Sequence, residues 1–145
     1  MDEGKRELVR AWLLKARNDL DTARQISSWP EGHLDAAIYH SQQAAEKALK
    51  GFLALHDHEV ERTHDLKRLI QVAAVDDNSF GRWMDAAITL TPYATAYRYP
   101  GESAVLEPSR AEFDEALKCA INLVEFVFEL MPSEVQPKGK RERGT

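Results

Sequence analysis

The chain has 145 residues, 43% of them hydrophobic, with a net charge of −5 and a pI of about 5.5. This is the size of one domain with enough apolar material for a core. The acidic balance argues against coating nucleic acid non-specifically, which needs an overall basic surface, but leaves a local basic patch open. The single cysteine, Cys119, excludes an internal disulfide and any zinc cluster built from cysteines, and reads as a small buried apolar residue of a cytosolic protein. No apolar run approaches the ~18 residues that span a bilayer. The opening MDEGKRELVR has no signal-peptide core, so a cytoplasmic location with no membrane partner is expected.

A first helix is predicted from Glu3 to Ser27, its inner face formed by Leu8, Trp12, Ala16, Leu20, Ala23 and Ile26 at three- and four-residue steps. Pro30 and Gly32 break it. A second helix runs from about Leu34 to His56 on the stripe Ile38, Ala45, Leu49 and Phe52. Thr63 is a good N-cap for a third helix with Leu66, Leu69, Ile70 and Ala73 inside. A fourth, from about Phe80 to Ala96, carries Trp83, Ala87, Ile88 and Leu90, and Pro92 should kink or split it.

YRYPGESAVLEP is a loop, after which Pro108 marks a new helix start. The last helix, about Ser109 to Met131, is apolar on several sides: Phe113, Leu117, Ile121, Val124 and Phe128 on one, and Leu123, Phe126, Val127 and Leu130 on others. Such a helix is either central or shared with a partner, and a homodimer through it or the fourth helix is expected. No strand pattern persists. The fold class is all-α, an up-and-down bundle of four to five antiparallel helices over residues 1–131, with residues 132–145 a disordered basic tail.

Three polar clusters stand out. On the second helix His40, Gln43, Lys47 and Lys50 form one stripe, beside Tyr39, Gln42 and Glu46. The first stripe offers donors and a cation suited to a phosphate. It also reads as a plain solvated face. If it is a site, Lys47→Ala should weaken binding without unfolding the bundle, because the stripe is expected to face away from the core. In THDL, Thr63 caps, Asp65 suits the helix dipole, and His64 would be incidental. In YRYPGE, Arg98 could clamp a phosphate and Tyr97 or Tyr99 could stack on a base. Equally, Arg98 could pair with a carboxylate such as Glu46 or Asp19 and tie the loop down. The histidines His33, His40, His56, His58 and His64 include no i, i+4 pair with a carboxylate partner, so neither a metal nor a cofactor is expected.

Taken in order, ARNDLDTARQI, AAIYHSQQAAEKALKGFL, THDLKRLI, YATAYRYPG and a long apolar helix resemble the HEPN family over nearly all of the chain to about Met131. The resemblance implies a bundle of antiparallel helices, usually a dimer, often encoded beside a small nucleotidyltransferase, with a nucleotide- or RNA-related role. In many HEPN branches an Arg followed after a short spacer by a His cleaves RNA without metal. This chain departs from that pattern. Arg98 is followed by YPGESAVLEP, only Thr63 separates Arg62 from His64, and Arg24 lies too far before His33.

The family's RNase site is therefore not carried over, and no catalytic residue is assigned. The expectation is a non-catalytic nucleotide- or RNA-binding module in a toxin–antitoxin-like or defence system. It would bind phosphate through His40, Gln43, Lys47, His64, Arg98 and Tyr99. Two alternatives stay open: an RNase toxin using His40 or His64 with Arg98, and a purely structural dimerisation module.

Overall fold

The computed structural model describes residues 1–101 and 105–139. Among them are five α-helices and no strand: α1 (Glu3–Ser28), α2 (Leu34–Leu55), α3 (Leu66–Asp76), α4 (Met84–Leu90) and α5 (Arg110–Glu129). None is long and apolar enough to cross a membrane.

Helix α1 starts where Asp2 accepts a hydrogen bond from the Lys5 amide at 2.8 Å, an N-cap that satisfies one of the first turn's free donors. The turn after it requires glycine at position 32, since a Cβ there would lie 1.8 Å from the Ile26 carbonyl oxygen. Helix α2 then returns alongside α1. Asp57 meets Lys5, Gly51 meets Leu13 and Trp12, and His40 meets Asp19, a pairing order that fixes the two helices as antiparallel. A Cβ at Gly51 would sit 3.0 Å from Leu13 and 3.2 Å from Trp12, so the missing side chain sets how closely α1 and α2 approach.

The inner face of α1 follows the predicted one from Ala16 onward, but over its first turns it is shifted by one residue. Val9 and Leu13 are fully buried with Ala16, Leu20 and Ala23, while Leu8 is 52% exposed and Trp12 only partly covered. Helix α2 is the central element. Ala37, Ala44, Ala45 and Ala48 are buried beside Ile38, Leu49 and Phe52, and these short side chains let α1, α3 and α5 all pack on it. In α3 the predicted inner face Leu66, Leu69, Ile70 and Ala73 is buried. Its N-cap is Asp65, which accepts from the Lys67 amide at 3.0 Å, while Thr63 accepts from the Asp65 amide one step earlier.

The predicted fourth helix is three pieces: a 3-10 helix at Asn78–Trp83, then α4, then a second 3-10 helix at Thr91–Ala94 with Pro92 in its first turn. Thr91 joins it to α3. Its hydroxyl donates to the Ala87 carbonyl at 2.7 Å and accepts from the Leu66 amide at 3.2 Å. An aromatic run, Phe52–Phe80–Phe126, with centroid separations of 4.5 and 5.1 Å, links α2 to α5 through the 3-10 turn.

Helix α5 is capped by Ser109, which accepts from the Glu112 amide at 3.1 Å. Its several apolar sides are mostly consumed within the chain. Phe113, Leu123, Val124, Phe126 and Val127 are buried, and Leu117, Ile121 and Phe128 are partly buried. Leu130 stays 37% exposed at its end, so α5 leaves only a small part of its apolar surface for a partner. Among the larger apolar residues of α4, Ile88 stays 52% exposed.

The segment after α5 is not a free tail where it is described. Ser133–Val135 forms a 3-10 turn with Val135 fully buried. Gln136 donates to the Phe128 and Met131 carbonyls at 2.8 and 3.2 Å, and Arg10 donates to the Glu134 carbonyl. Residues 102–104 of the predicted loop and 140–145 of the predicted tail lie outside the described residues.

Candidate functional site

The polar side of α2 is organised around two carboxylates that face inward. Asp19, on α1 between the core residues Ala16 and Leu20, accepts from Lys47 at 2.6 Å and from His40 at 2.8 Å. Glu46 accepts on one oxygen from His64 at 2.8 Å, Gln42 at 3.2 Å and Gln43 at 3.3 Å. On the other it accepts from Lys50 at 2.9 Å. Gln43 also donates to Gln42 at 2.7 Å, and Gln42 to the His64 carbonyl at 3.3 Å. Ser41, Gln42, Gln43, Glu46 and Lys50 are all buried.

This side of α2 is thus not the solvated face that helical spacing allowed. It is a wedge of paired charge under α1 and the start of α3. Each buried group has a partner, as its desolvation requires. The premise that this stripe faces away from the core falls with it, because Lys47 neutralises the buried Asp19.

Burial alone would push both carboxylates up. At Asp19 the hydrogen bonds from His40 and Lys47 outweigh burial, and at Glu46 those from His64 and Lys50 do. Both groups titrate below the ordinary carboxylate range. Since an ionised carboxylate can only accept, the bonded Nδ1 of His40 and of His64 carries the proton. The Nε2 of each ring faces the other way. The His64 side chain is 64% exposed, so it is a histidine oriented from behind by a buried carboxylate rather than an incidental one.

The depressed pKa of Asp19 has a defined sign. Its contribution to stability is complete above the unfolded-state value of 3.8 and is lost as pH falls through the lower folded-state value. Asp19→Asn should therefore flatten the acid limb of the stability profile below about pH 4, by up to about 1.4 kcal/mol per pH unit. Urea unfolding at several acidic pH values measures this. Parallel limbs in the two proteins would remove the linkage.

The YRYPGE cluster is built differently. The Arg98 guanidinium lies 3.9 Å from the centroid of the Tyr39 ring and 5.8 Å from that of Tyr99, and it forms no ion pair with a described residue. Tyr39 in turn meets the His40 ring edge-on at 5.4 Å. Neither Asp19 nor Glu46 takes Arg98, since both are used by lysines and histidines. Tyr99 is 74% exposed. Tyr97, with a left-handed φ of 66°, is turned inward instead. Its hydroxyl and that of Tyr93 both donate to Glu112 of α5, at 2.9 and 2.7 Å. Burial raises the Tyr93 hydroxyl pKa and the Glu112 bond adds to it, so the phenol stays protonated.

Of the six predicted site residues, the fold brings His40, Lys47 and Arg98 together through Asp19 and Tyr39. Tyr99 lies beside them. Gln43 is buried in the Glu46 network, and His64 belongs to that second network.

The two organising carboxylates were missed as such. Their signals were a charged residue at an inner position of α1 and the i, i+4 pair Glu46–Lys50. Also unanticipated is a grouping of His33 and Asp35, at the start of α2, with Glu107, which leads into α5.

The HEPN domain model matches residues 9–131. The chain belongs to the HEPN family. It is similar to the crystal structure of ST0689, an archaeal HEPN homologue, at 31% identity and a TM-score of 0.68, covering 84% of this chain and 96% of that one. It is also similar to the crystal structure of TT1696 from Thermus thermophilus, at 31% identity and a TM-score of 0.71, covering 85% of this chain and 98% of that one. No curated protein matches significantly. The HEPN bundle thus accounts for α1 to α5, and the turn at Ser133–Val135 lies beyond the matched region.

Proposed function

We propose that this HEPN protein is a non-catalytic nucleotide- or RNA-binding module, in which Arg98 receives a phosphate and Tyr99, beside it, stacks on a base. The observation that carries this reading is the state of the cations. Lys47 and Lys50 are neutralised by buried carboxylates, whereas Arg98 lies over the Tyr39 ring with no described carboxylate against it. An arginine ordered by stacking keeps its donor edge for bidentate contact with a phosphate. His40 packs edge-on against the same Tyr39 ring and is itself anchored to Asp19.

The family resemblance supplies the setting: a cytoplasmic homodimer acting with a separately encoded nucleotidyltransferase in a toxin–antitoxin-like or defence system. The exposed Ile88 supports α4 as the dimer face.

Arg98→Ala should weaken binding of a short single-stranded RNA about tenfold or more at low salt, with unchanged helicity. Wild-type affinity should fall as salt rises. Fluorescence anisotropy with circular dichroism measures both. Binding that ignores Arg98→Ala, or no binding at low salt, refutes the reading.

One observation favours a second reading, the RNase with a non-standard site. The Glu46–His64 pair has the arrangement of a general base held in one tautomer. Metal-independent RNA cleavage lost in both His64→Ala and Arg98→Ala would promote that reading over the first.

A further inference from the structure

We infer that His33, Asp35 and Glu107 form a binding site for a divalent transition metal of the zinc class, which would clip the segment entering α5 onto the start of α2. One ligand atom from each residue lies within 4.8 Å of the others, and His33 Nδ1 is 3.9 Å from a Glu107 carboxylate oxygen. Ligands sharing one zinc ion lie about 2.0–2.2 Å from it, hence about 3.5 Å from one another, so a side-chain movement of about 1 Å closes the set. His33 and Glu107 are exposed, and their rotamers can supply that movement.

The second observation concerns Asp35. One of its carboxylate oxygens is shielded from solvent and has no hydrogen-bond partner among the described residues. Asp35 and His33 flank the first residue of α2, where a polar side chain ordinarily caps the helix. Yet the His33 side chain makes no cap hydrogen bond. His33 is therefore spared the usual capping role. A shielded, unbonded carboxylate oxygen is costly unless a donor or a cation completes it.

The donor set selects the class of ion. One imidazole nitrogen with two carboxylates suits zinc and its neighbours, whereas magnesium and calcium take all-oxygen shells. Two negative charges balance a divalent ion, and a neutral imidazole leaves the site uncharged overall. With three protein ligands, a water would fill the fourth position. The ion would tie residues 33–35 to residue 107, just before α5.

The test is titration calorimetry of the metal-free full chain with zinc chloride alone, in a non-chelating buffer. One ion per chain at micromolar affinity is expected, weakened about tenfold or more in both His33→Ala and Glu107→Gln. Both substitutions lie at exposed side chains, and circular dichroism of each variant checks the fold. His58→Ala is the control, because His56 and His58 converge on Asp76 and offer the competing histidine–carboxylate set. Zinc affinity that is unchanged in His33→Ala and Glu107→Gln, or that is lost only in His58→Ala, overturns the assignment. So does the absence of any site tighter than millimolar. RNA binding plays no part in this measurement, so it stands or falls apart from the role proposed for Arg98.

Discussion

Glu46→Ala should lower the unfolding free energy by about 3–5 kcal/mol, the cost of leaving a buried charge without its counter-ion. The Lys50 and Glu46 side chains are 7% and 5% exposed, so water cannot replace the lost carboxylate. Three further donors, from His64, Gln42 and Gln43, lose their acceptor in the same step. The double variant Glu46→Leu with Lys50→Met separates the two parts of this cost. With both charges removed and the space refilled, most of the loss should be recovered, because an ion pair and an apolar pair of similar volume are often close in net stability. Urea unfolding of the three proteins decides it. A loss below about 1 kcal/mol in Glu46→Ala would mean that Lys50 reaches solvent.

Phe80→Ala is the second large effect, at about 3–5 kcal/mol. Phe80 sits in a short 3-10 turn capped by Asp77, and its ring is fully buried between Phe52 and Phe126. That side chain fastens the turn to the core. Truncation opens a cavity between α2 and α5 and releases the turn together. Phe80→Leu, which keeps most of the volume, should cost under about 1.5 kcal/mol. Denaturant midpoints with unchanged slopes would confirm a loss of packing in an intact two-state fold. Equal costs for the two substitutions would show that the ring shape, not the volume, matters.

Helices α1, α3 and α5 were legible because each buries one side against α2, and apolar spacing reports that directly, as in Leu66, Leu69, Ile70 and Ala73. The phase of α1 was legible from Ala16 onward but not in its first turns. Leu8–Val9 and Trp12–Leu13 are adjacent apolar pairs, so two inner faces fit one pattern, and the close approach of Gly51 chooses between them. Thr63 and Asp65 are both good caps two residues apart, and local chemistry does not rank them.

The candidate site was readable as a list of residues but not as an arrangement. A polar stripe on a helix has the same spacing whether it faces water or buried carboxylates. Only the placement of Asp19 on a different helix tells them apart. Arg98 kept its place in the reading because its stacking partner, Tyr39, comes from the stripe beside His40. The His33–Asp35–Glu107 grouping joins residues far apart in the chain, and no local pattern announces such a contact.

The hook at Glu134–Gln136 bears on the order in which the molecule assembles during synthesis. The α1–α2 hairpin is a local pairing and can form while the rest of the chain is still being made. Arg6 and Arg10, however, find Glu134 only after α5 has been completed, and the last carbonyls of α5 wait for Gln136. A nascent bundle held on the ribosome would therefore be open along the flank of α1. The final fastening would wait for the emergence of Glu134–Gln136, so that only a chain extended through Gln136 is latched shut.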